Sequence, residues 1–321
     1  MLRVTLHEAE IRRVIGLPEG GTRIVDGLAP WGAMKDRCLY FINRALTESM
    51  RESLALLNDC IIIVPQGTAA NEDLGDSVVL ETPNPRLAIA KVLKLIVDLQ
   101  RHQPWVTERN IAPSAVISPF AAIGECVSID AGVVVEPFCV VEDDVNIGRE
   151  SVLRSGVKIH SRVSIGEGST VGANTVIGHP GFGFVREESG NKTRIPHLGG
   201  VIIGSHVEIG ALVTVVSGTI ASTIIEDGAK IDDHVHVGHN ARIARGASVT
   251  AAAIIGGSSV VGEDAWVGIN SSIRDGRRIG RRSLIGMDVS VQQDLADNTV
   301  ARAPRPDLKM RSDDDSSTIG F

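Results

Sequence analysis

An aliphatic residue recurs at every sixth position over most of this chain, and that period restricts the folds available to it. An amphipathic helix repeats after about 3.6 residues and a strand after about 2, so neither produces the pattern. A coil of three flat faces does, because each hexad forms one face and points its aliphatic residue inward. We therefore predict a left-handed parallel β-helix. The inward positions are Ile117, Ile123, Ile129, Val135, Val141, Ile147, Leu153, Ile159, Ile165, Val171, Ile177, Ile203, Ile209, Val215, Ile225, Ile231, Val237, Ile243, Val249, Ile255, Val261, Val267, Ile273, Ile279, Ile285 and Val291.

The composition agrees with such a narrow core. Aromatic residues make up 3% of the chain, and 34 residues are glycine. Val and Ile fill a thin β-helix better than large rings do, and glycine suits the corner after an inward position, as at Gly124 and Gly148.

The period divides the chain into parts. Residues 1–108 lack this period, and we predict that they form a small α/β domain. Its strands are expected near 38–43 and 60–64, and a helix is expected to begin at Pro85 with Asn84 as its N-cap. Residues 109–295 carry the period. The stretch 179–200 interrupts the hexads as a loop insertion, and a second insertion of four residues lies between Val215 and Ile225. The polar stretch 296–321 is predicted to be a partly disordered tail.

Charge and cysteine content exclude some classes of protein. A net charge of −7 and a pI near 5.7 argue against a nucleic-acid surface. Cys38, Cys60, Cys126 and Cys139 form no CxxC pair, which predicts reduced core cysteines in the cytosol. The charged N-terminus resembles no signal peptide, and no apolar run approaches about 20 residues. We expect a soluble, cytoplasmic protein.

The stretch 231–240, IDDHVHVGHN, is the densest polar cluster, and three interpretations of it compete. The first is a zinc site. The His-x4-His spacing of trimeric β-helix carbonic anhydrases would require a partner for His239 at position 244, which is Ala244, so no metal is predicted. The second is a general base, for which imidazole is suited at neutral pH, with Asp232 or Asp233 holding its tautomer. The third is an ordinary surface turn, an open interpretation for His234 and His236.

The segment GFGF at 181–184 also has two interpretations. It is either a loop that buries two rings, or a loop that places Phe182 and Phe184 against the apolar part of a ligand. In the second case the glycines would let the backbone approach that ligand closely.

Three stretches between 176 and 240 form a pattern more specific than the hexads: VIGHPGFGF, RIPHLGGVIIGSHVEIGA and IIEDGAKIDDHVHVGHNARI. They resemble the UDP-3-O-acylglucosamine N-acyltransferases of lipid A biosynthesis, which are hexapeptide-repeat acyltransferases. More weakly, LYFIN at 39–43 and NPRLAIAKVL at 84–93 resemble the uridine-binding domain of that family.

The resemblance implies a role for several residues by position. His239 matches the catalytic base, and Asp232 matches an acidic residue that supports it. Asn43, beside Phe41 or Tyr40, matches a uridine contact.

It further implies that Phe182 and Phe184 line the acyl-acceptor site and that Asn240 binds substrate. A backbone N–H at Gly256 or Gly257 would contact the thioester carbonyl and stabilise its oxyanion.

The chain also departs from the family pattern. Val216-Ser217-Gly218 stands where the family has Asp-Arg-Gly, and Asp275-Gly276 stands where it has a Gly-His pair with a second histidine. A short acidic tail replaces the C-terminal helices that recognise acyl carrier protein.

The resemblance implies transfer of an acyl group from a phosphopantetheine thioester, on acyl carrier protein or CoA, to the amine of a UDP-linked amino sugar. No permanently bound cofactor is expected. A homotrimer is expected, because the family's sites lie between subunits and a lone prism would expose a broad apolar side. Two alternatives stay open: a short-chain enzyme that uses acetyl-CoA on another nucleotide amino sugar, and a non-catalytic β-helix scaffold.

Overall fold

The structure is a computed structural model that describes residues 2–31, 33–68, 75–100 and 109–304. The predicted boundary at 108 and the tail beyond 304 lie outside the described residues. None of the four cysteines forms a disulfide; Cys38, Cys60 and Cys139 are buried, whereas Cys126 is exposed, so its prediction as a core residue is wrong. None of the three described helices is long and apolar enough to cross a bilayer.

The N-terminal domain is a five-stranded sheet flanked by helices. Its strands are β1 (Leu2–His7), β2 (Ile24–Leu28), β3 (Leu39–Phe41), β4 (Ile61–Pro65) and β5 (Val78–Thr82). Its helices are α1 (Glu8–Ile15), α2 (Glu48–Ala55) and α3 (Pro85–Gln100). The strands lie side by side in numerical order; β1 pairs antiparallel with β2, and the remaining pairs are parallel.

Local chemistry explains the elements that the sequence predicts. Four of the five residues of β4 are buried aliphatics, as expected of a central parallel strand covered on both faces. Helix α3 begins at Pro85, and Oδ1 of Asn84 accepts a hydrogen bond from the N–H of Leu87 at 3.0 Å. We did not predict β1, α1 or β2, because residues 2–28 mix polar and apolar residues without a clear period.

The hexads form the predicted β-helix, in which short parallel strands stack into three faces. Val134 pairs with Val152 and Val152 with Thr170, so an uninterrupted coil takes 18 residues, or three hexads. Face 1 contains Asn110–Ile111, Ser128–Ile129, Asn146–Ile147, Val163–Ile165, Val201–Ile203, Thr223–Ile225, Arg242–Ile243, Val260–Val261 and Arg278–Ile279. Face 2 contains Val116–Ile117, Val134–Val135, Val152–Leu153, Thr170–Val171, Glu208–Ile209, Lys230–Ile231, Ser248–Val249, Trp266–Val267, Leu284–Ile285 and Val300–Ala301. Face 3 contains Ala122–Ile123, Val140–Val141, Lys158–Ile159, Val176–His179, Thr214–Val216, His236–Val237, Ile254–Ile255, Ser272–Ile273 and Ser290–Val291.

The predicted inward residues from Ile129 to Val291 form one continuous buried core, and Ile117 and Ile123, which are partly buried, pack against it. The β-helix also continues past the predicted end at 295. Val300–Ala301 pairs with Leu284–Ile285, so the first residues of the predicted tail close a further coil. The strand pairing continues there, but the hexad pattern is lost. Because the prediction relied on that pattern, the predicted end of the β-helix is too early.

The first insertion connects the β-helix to the N-terminal domain. Its strands Phe184–Arg186 and Lys192–Arg194 form an antiparallel hairpin. Val185, Ile195 and Leu198 are buried in the same cluster as the apolar face of α3. This packing holds the insertion between the two domains, beside one corner of the β-helix.

Candidate active site

His239 lies at the corner where the chain turns from face 3 to face 1. The turn is Gly238-His239-Asn240, and Asn240 has a φ of 59°, a left-handed conformation that asparagine tolerates better than most residues. The imidazole of His239 is half-buried and lies where two clefts meet.

We call the first cleft the domain cleft, because it runs between the N-terminal domain and the β-helix. Its volume is about 490 Å³. Its lining includes Trp31, Phe41, Asn43, Arg86, His197, Thr219, His239 and Asn240.

We call the second cleft the loop cleft, because the insertion forms one of its walls. Its volume is about 380 Å³. Its lining includes His179, Phe182, Arg194, His236, His239, Ile254, Gly256, Gly257 and Asp275.

Asn240 sets the tautomer of His239. Nδ2 of Asn240 donates to the carbonyl of Ala221 at 2.8 Å, and Oδ1 accepts from the backbone N–H and the hydroxyl of Thr219. Oδ1 also lies 3.2 Å from Nδ1 of His239. Because that oxygen only accepts, Nδ1 carries the proton and Nε2 is left as the basic nitrogen. Asn240 lines the domain cleft, as predicted for a substrate contact, but its amide is mainly engaged in positioning His239.

Gly257, on the next coil, leaves room for the imidazole. A Cβ added at Gly257 would lie 2.7 Å from Nε2 and 2.8 Å from Cε1 of His239. Any side chain at this position would therefore displace the ring.

Asp232 does not contact His239 within one chain, which corrects the predicted pairing. Its carboxylate accepts the N–H groups of Asp233 at 2.8 Å and Ala251 at 3.1 Å. The other candidate, Asp233, accepts the N–H of Ala211. The triangular coil places these residues at the corner between faces 2 and 3, whereas His239 lies at the next corner.

The predicted oxyanion donors are also already engaged, which is a second correction. The N–H of Gly256 donates to the carbonyl of Ile273 in the strand ladder. The N–H of Gly257 donates to Oδ1 of Asp275 at 2.7 Å. Asp275 thus stands where the resemblance expects the Gly-His pair, and its carboxylate covers the N–H that a thioester carbonyl would need.

The two phenylalanines of the GFGF segment have different surroundings. Phe182 is 90% exposed and lines the loop cleft. Phe184 is half-buried, packs edge-on against Phe182 at 5.0 Å, and lies under the guanidinium of Arg194 at 4.7 Å. Phe182 is therefore available to a ligand, whereas Phe184 helps to support it.

In the N-terminal domain, Phe41 and Asn43 reach the domain cleft together with His239, as the resemblance implies. Tyr40, the other aromatic candidate, is buried, and its hydroxyl donates to the carbonyl of Lys35 at 2.8 Å. Burial raises the pKa of Tyr40 to about 12. Its role is structural.

His197 is a residue of this site that the sequence did not predict. It is 7% exposed, lines the domain cleft, and its ring centroid lies 5.3 Å from that of His239. Nothing in a single histidine after Ile195-Pro196 signals this proximity, because it depends on the path of the insertion.

Within the described part of the chain, no group of three or more His, Cys, Asp or Glu side chains is arranged to hold a metal ion. His234 and His236 are exposed, and His236 lines the loop cleft beside His239.

The chain is a hexapeptide-repeat protein with a left-handed β-helix, the fold of LpxA from Acinetobacter baumannii. That structure matches with a TM-score of 0.50 and 21% identity over 60% of this chain and 71% of the other. At this identity the likeness concerns the fold alone. No family model matches the chain.

The chain is 42% identical over 172 residues to the UDP-3-O-acylglucosamine N-acyltransferase of Coxiella burnetii (strain Dugway 5J108-111), covering 50% of this chain and 49% of the relative. It is 49% identical over 75 residues to UDP-3-O-acylglucosamine N-acyltransferase 2 of Legionella pneumophila (strain Lens), covering 23% and 22%. The chain thus spans about half the length of the first of these relatives, and the predicted resemblance is confirmed over that part.

Proposed function

We propose that this protein is an N-acyltransferase that moves an acyl group from a phosphopantetheine thioester to the amine of a UDP-linked amino sugar. The observation that supports this most is that His239 lines both clefts. The domain cleft would take the nucleotide sugar, with uridine near Phe41 and Asn43. The loop cleft would take the thioester, so that the two reacting groups meet at one imidazole.

The chemistry follows from the tautomer of His239. The amine attacks the thioester carbonyl, forming a C–N bond, and Nε2 of His239 takes one amine proton. The C–S bond then breaks, and the imidazolium returns that proton to the departing thiolate. Holding both substrates beside one base supplies much of the remaining acceleration.

The relatives support the choice of acceptor, a UDP-3-O-acylglucosamine of lipid A biosynthesis. We further propose a cytoplasmic enzyme, since nucleotide sugars are cytoplasmic substrates, with acyl carrier protein or CoA as the thioester carrier. A homotrimer would cover apolar side chains that one chain leaves exposed, such as Ile254, Trp266 and Leu284. Asp232 would then support His239 only across a subunit boundary.

One observation favours a second candidate, a binding or scaffold protein without turnover. Asp275 occupies the N–H of Gly257, and its carboxylate would face the oxyanion of a bound thioester. A negative charge at this point opposes the transition state of acyl transfer.

Thiol release tests the two candidates. Purified protein would be given UDP-3-O-acylglucosamine with 3-hydroxyacyl carrier protein and, in parallel, with acetyl-CoA. We expect turnover that His239→Ala lowers by about 10²–10⁴-fold. Turnover with acetyl-CoA alone would indicate the short-chain enzyme. Absence of turnover with both donors, with the nucleotide sugar still bound, would favour the scaffold.

A further inference from the structure

The insertion places a second imidazole in the domain cleft. His197 is more than nine-tenths buried, and its ring lies 5.3 Å from that of His239 between ring centroids. The chemistry above uses only His239 and leaves this group without a role.

Hydrogen bonding determines which nitrogen of His197 carries the proton. Nδ1 lies 3.0 Å from the carbonyl oxygen of Ile195, so Nδ1 donates and Nε2 is an acceptor. Burial, together with the neighbouring His239, lowers the pKa of His197 to about 4, so the ring is neutral at physiological pH. Within the described residues Nε2 has no hydrogen-bond partner, and the ring lines the domain cleft.

The backbone of the insertion packs closely against the ring of His197. A Cβ added at Gly181 would lie 2.6 Å from Nε2 of His197, and one at Gly183 would lie 2.8 Å from Cε1. The glycines of the GFGF segment therefore make room for His197. Glycine at both positions gives the imidazole a defined place beside His239.

We propose that Nε2 of His197 accepts a hydrogen bond from the attacking amine of the acceptor sugar, an inference that rests on the proposed function. A primary amine carries two hydrogens. His239 takes one as the C–N bond forms and the C–S bond breaks, and that proton leaves on the thiol. The other hydrogen stays on the nitrogen of the product amide, and His197 holds it throughout.

This role distinguishes amines from hydroxyls. A hydroxyl nucleophile has one hydrogen, which the base removes, so none remains for His197 to hold. Nε2 of His197, as an unprotonated hydrogen-bond acceptor, therefore favours N-acylation over O-acylation. With an amine its buried lone pair keeps a hydrogen-bond donor, and with a hydroxyl it does not.

The test compares His197→Gln, whose amide keeps a donor for Ile195 and an acceptor for the amine, with His197→Phe, which keeps the ring volume alone. His206→Gln, at an exposed corner of another coil, is the control. Binding of UDP and of UDP-glucosamine would be measured by calorimetry, and kcat and KM by thiol release.

We expect UDP to bind all four proteins alike. In His197→Phe, kcat/KM should fall roughly 10- to 100-fold, and His197→Gln should stay within about 3-fold of the wild type. As a measurement that needs no substitution, the Nε2 resonance of ¹⁵N-histidine-labelled protein should shift when UDP-glucosamine is added, and should not shift with UDP.

Equal kcat/KM in His197→Phe and the wild type, or an Nε2 resonance that UDP-glucosamine does not move, would overturn this role while the proposed function stands. If the wild type binds neither UDP nor UDP-glucosamine, the proposed function fails, and the role of His197 fails with it.

Discussion

At the scale of single residues, Asn240 connects His239, the proposed base, to the backbone of the β-helix. Its amide joins Thr219 and Ala221 of the second insertion to the ring of His239. The replacement of the family's Asp-Arg-Gly segment by Val216-Ser217-Gly218 thus leaves a chain path that still orients the predicted base.

Replacing Asn240 by glycine should separate its side-chain role from its backbone role, because glycine keeps the left-handed corner. We expect Asn240→Gly to lower kcat by about 10- to 100-fold, since the tautomer and orientation of His239 are no longer set. Steady-state thiol release measures this. Asn174→Gly is the matched control, because Asn174 has a φ of 58° at a corner away from His239. Equal losses in the two variants would contradict a positioning role for Asn240.

The depressed pKa of His197 predicts a dependence of stability on pH. Its value is about 4 in the folded protein and about 6.5 in an unfolded chain, so between these values the unfolded state binds the additional proton. The free energy of unfolding therefore falls as pH decreases through this window. His239 and Arg194, which both face His197, oppose its protonation.

Between pH 7.5 and pH 5 we expect the wild type to lose about 2 kcal/mol that His197→Gln retains. Urea unfolding of both proteins at one fixed protein concentration measures the difference. If the free energy of unfolding of the two proteins changed with pH in the same way, folding would not lower the pKa of His197, and the prediction would be wrong.

At the scale of elements, the first insertion forms the surroundings of His239. It forms a hairpin, buries three side chains against α3, and carries both Phe182 and His197 to the corner that holds His239. A β-helix alone would present His239 on an open edge, and the insertion converts that edge into two clefts.

A methyl group at Gly181 should disturb the site while leaving the β-helix intact. Its Cβ would lie 2.6 Å from Nε2 of His197 and 3.0 Å from Cγ1 of Val216, so the ring must move. We expect Gly181→Ala to lower kcat/KM by about 10-fold or more with little change in circular dichroism. Gly190→Asn is the control in the same insertion, because nothing lies within 4 Å of a Cβ there and asparagine tolerates its positive φ. Full activity in Gly181→Ala would show that the position of His197 does not matter.

At the scale of the whole molecule, the proposed homotrimer would supply a contact between Asp232 and His239 that one chain lacks. Asp232 and His239 occupy different corners of the same coil, so their pairing requires a second copy. The exposed apolar residues on faces 2 and 3 are consistent with neighbouring copies against those faces.

Mixed trimers provide the test. His239→Ala and Asp232→Ala should each be nearly inactive alone. After unfolding and refolding together, about a quarter of the interfaces would combine an intact His239 from one copy with an intact Asp232 from another, so activity should return to a measurable fraction of the wild type. Thiol release from the mixture, with mass measured by sedimentation, checks this. A mixture as inactive as its components would show that the two residues do not act across subunits.

The sequence by itself determined the β-helix, because a hexad is a local property. Each aliphatic residue specifies its own inward face, and 18 residues close a coil whatever lies elsewhere in the chain. The family motif likewise placed His239, Asn43 and Phe41 in one site, and the structure brings these three side chains to one cleft.

Only the tertiary structure decided what surrounds His239. Asp232 is near it in sequence but turned to another corner, whereas His197 is far away in sequence and adjacent in space. Asp275 reaches Gly257 because the two residues occupy equivalent corners of successive coils. These contacts depend on how coils stack and on where the insertion packs against α3. Both are non-local, so neither a residue nor its sequence neighbours encode them.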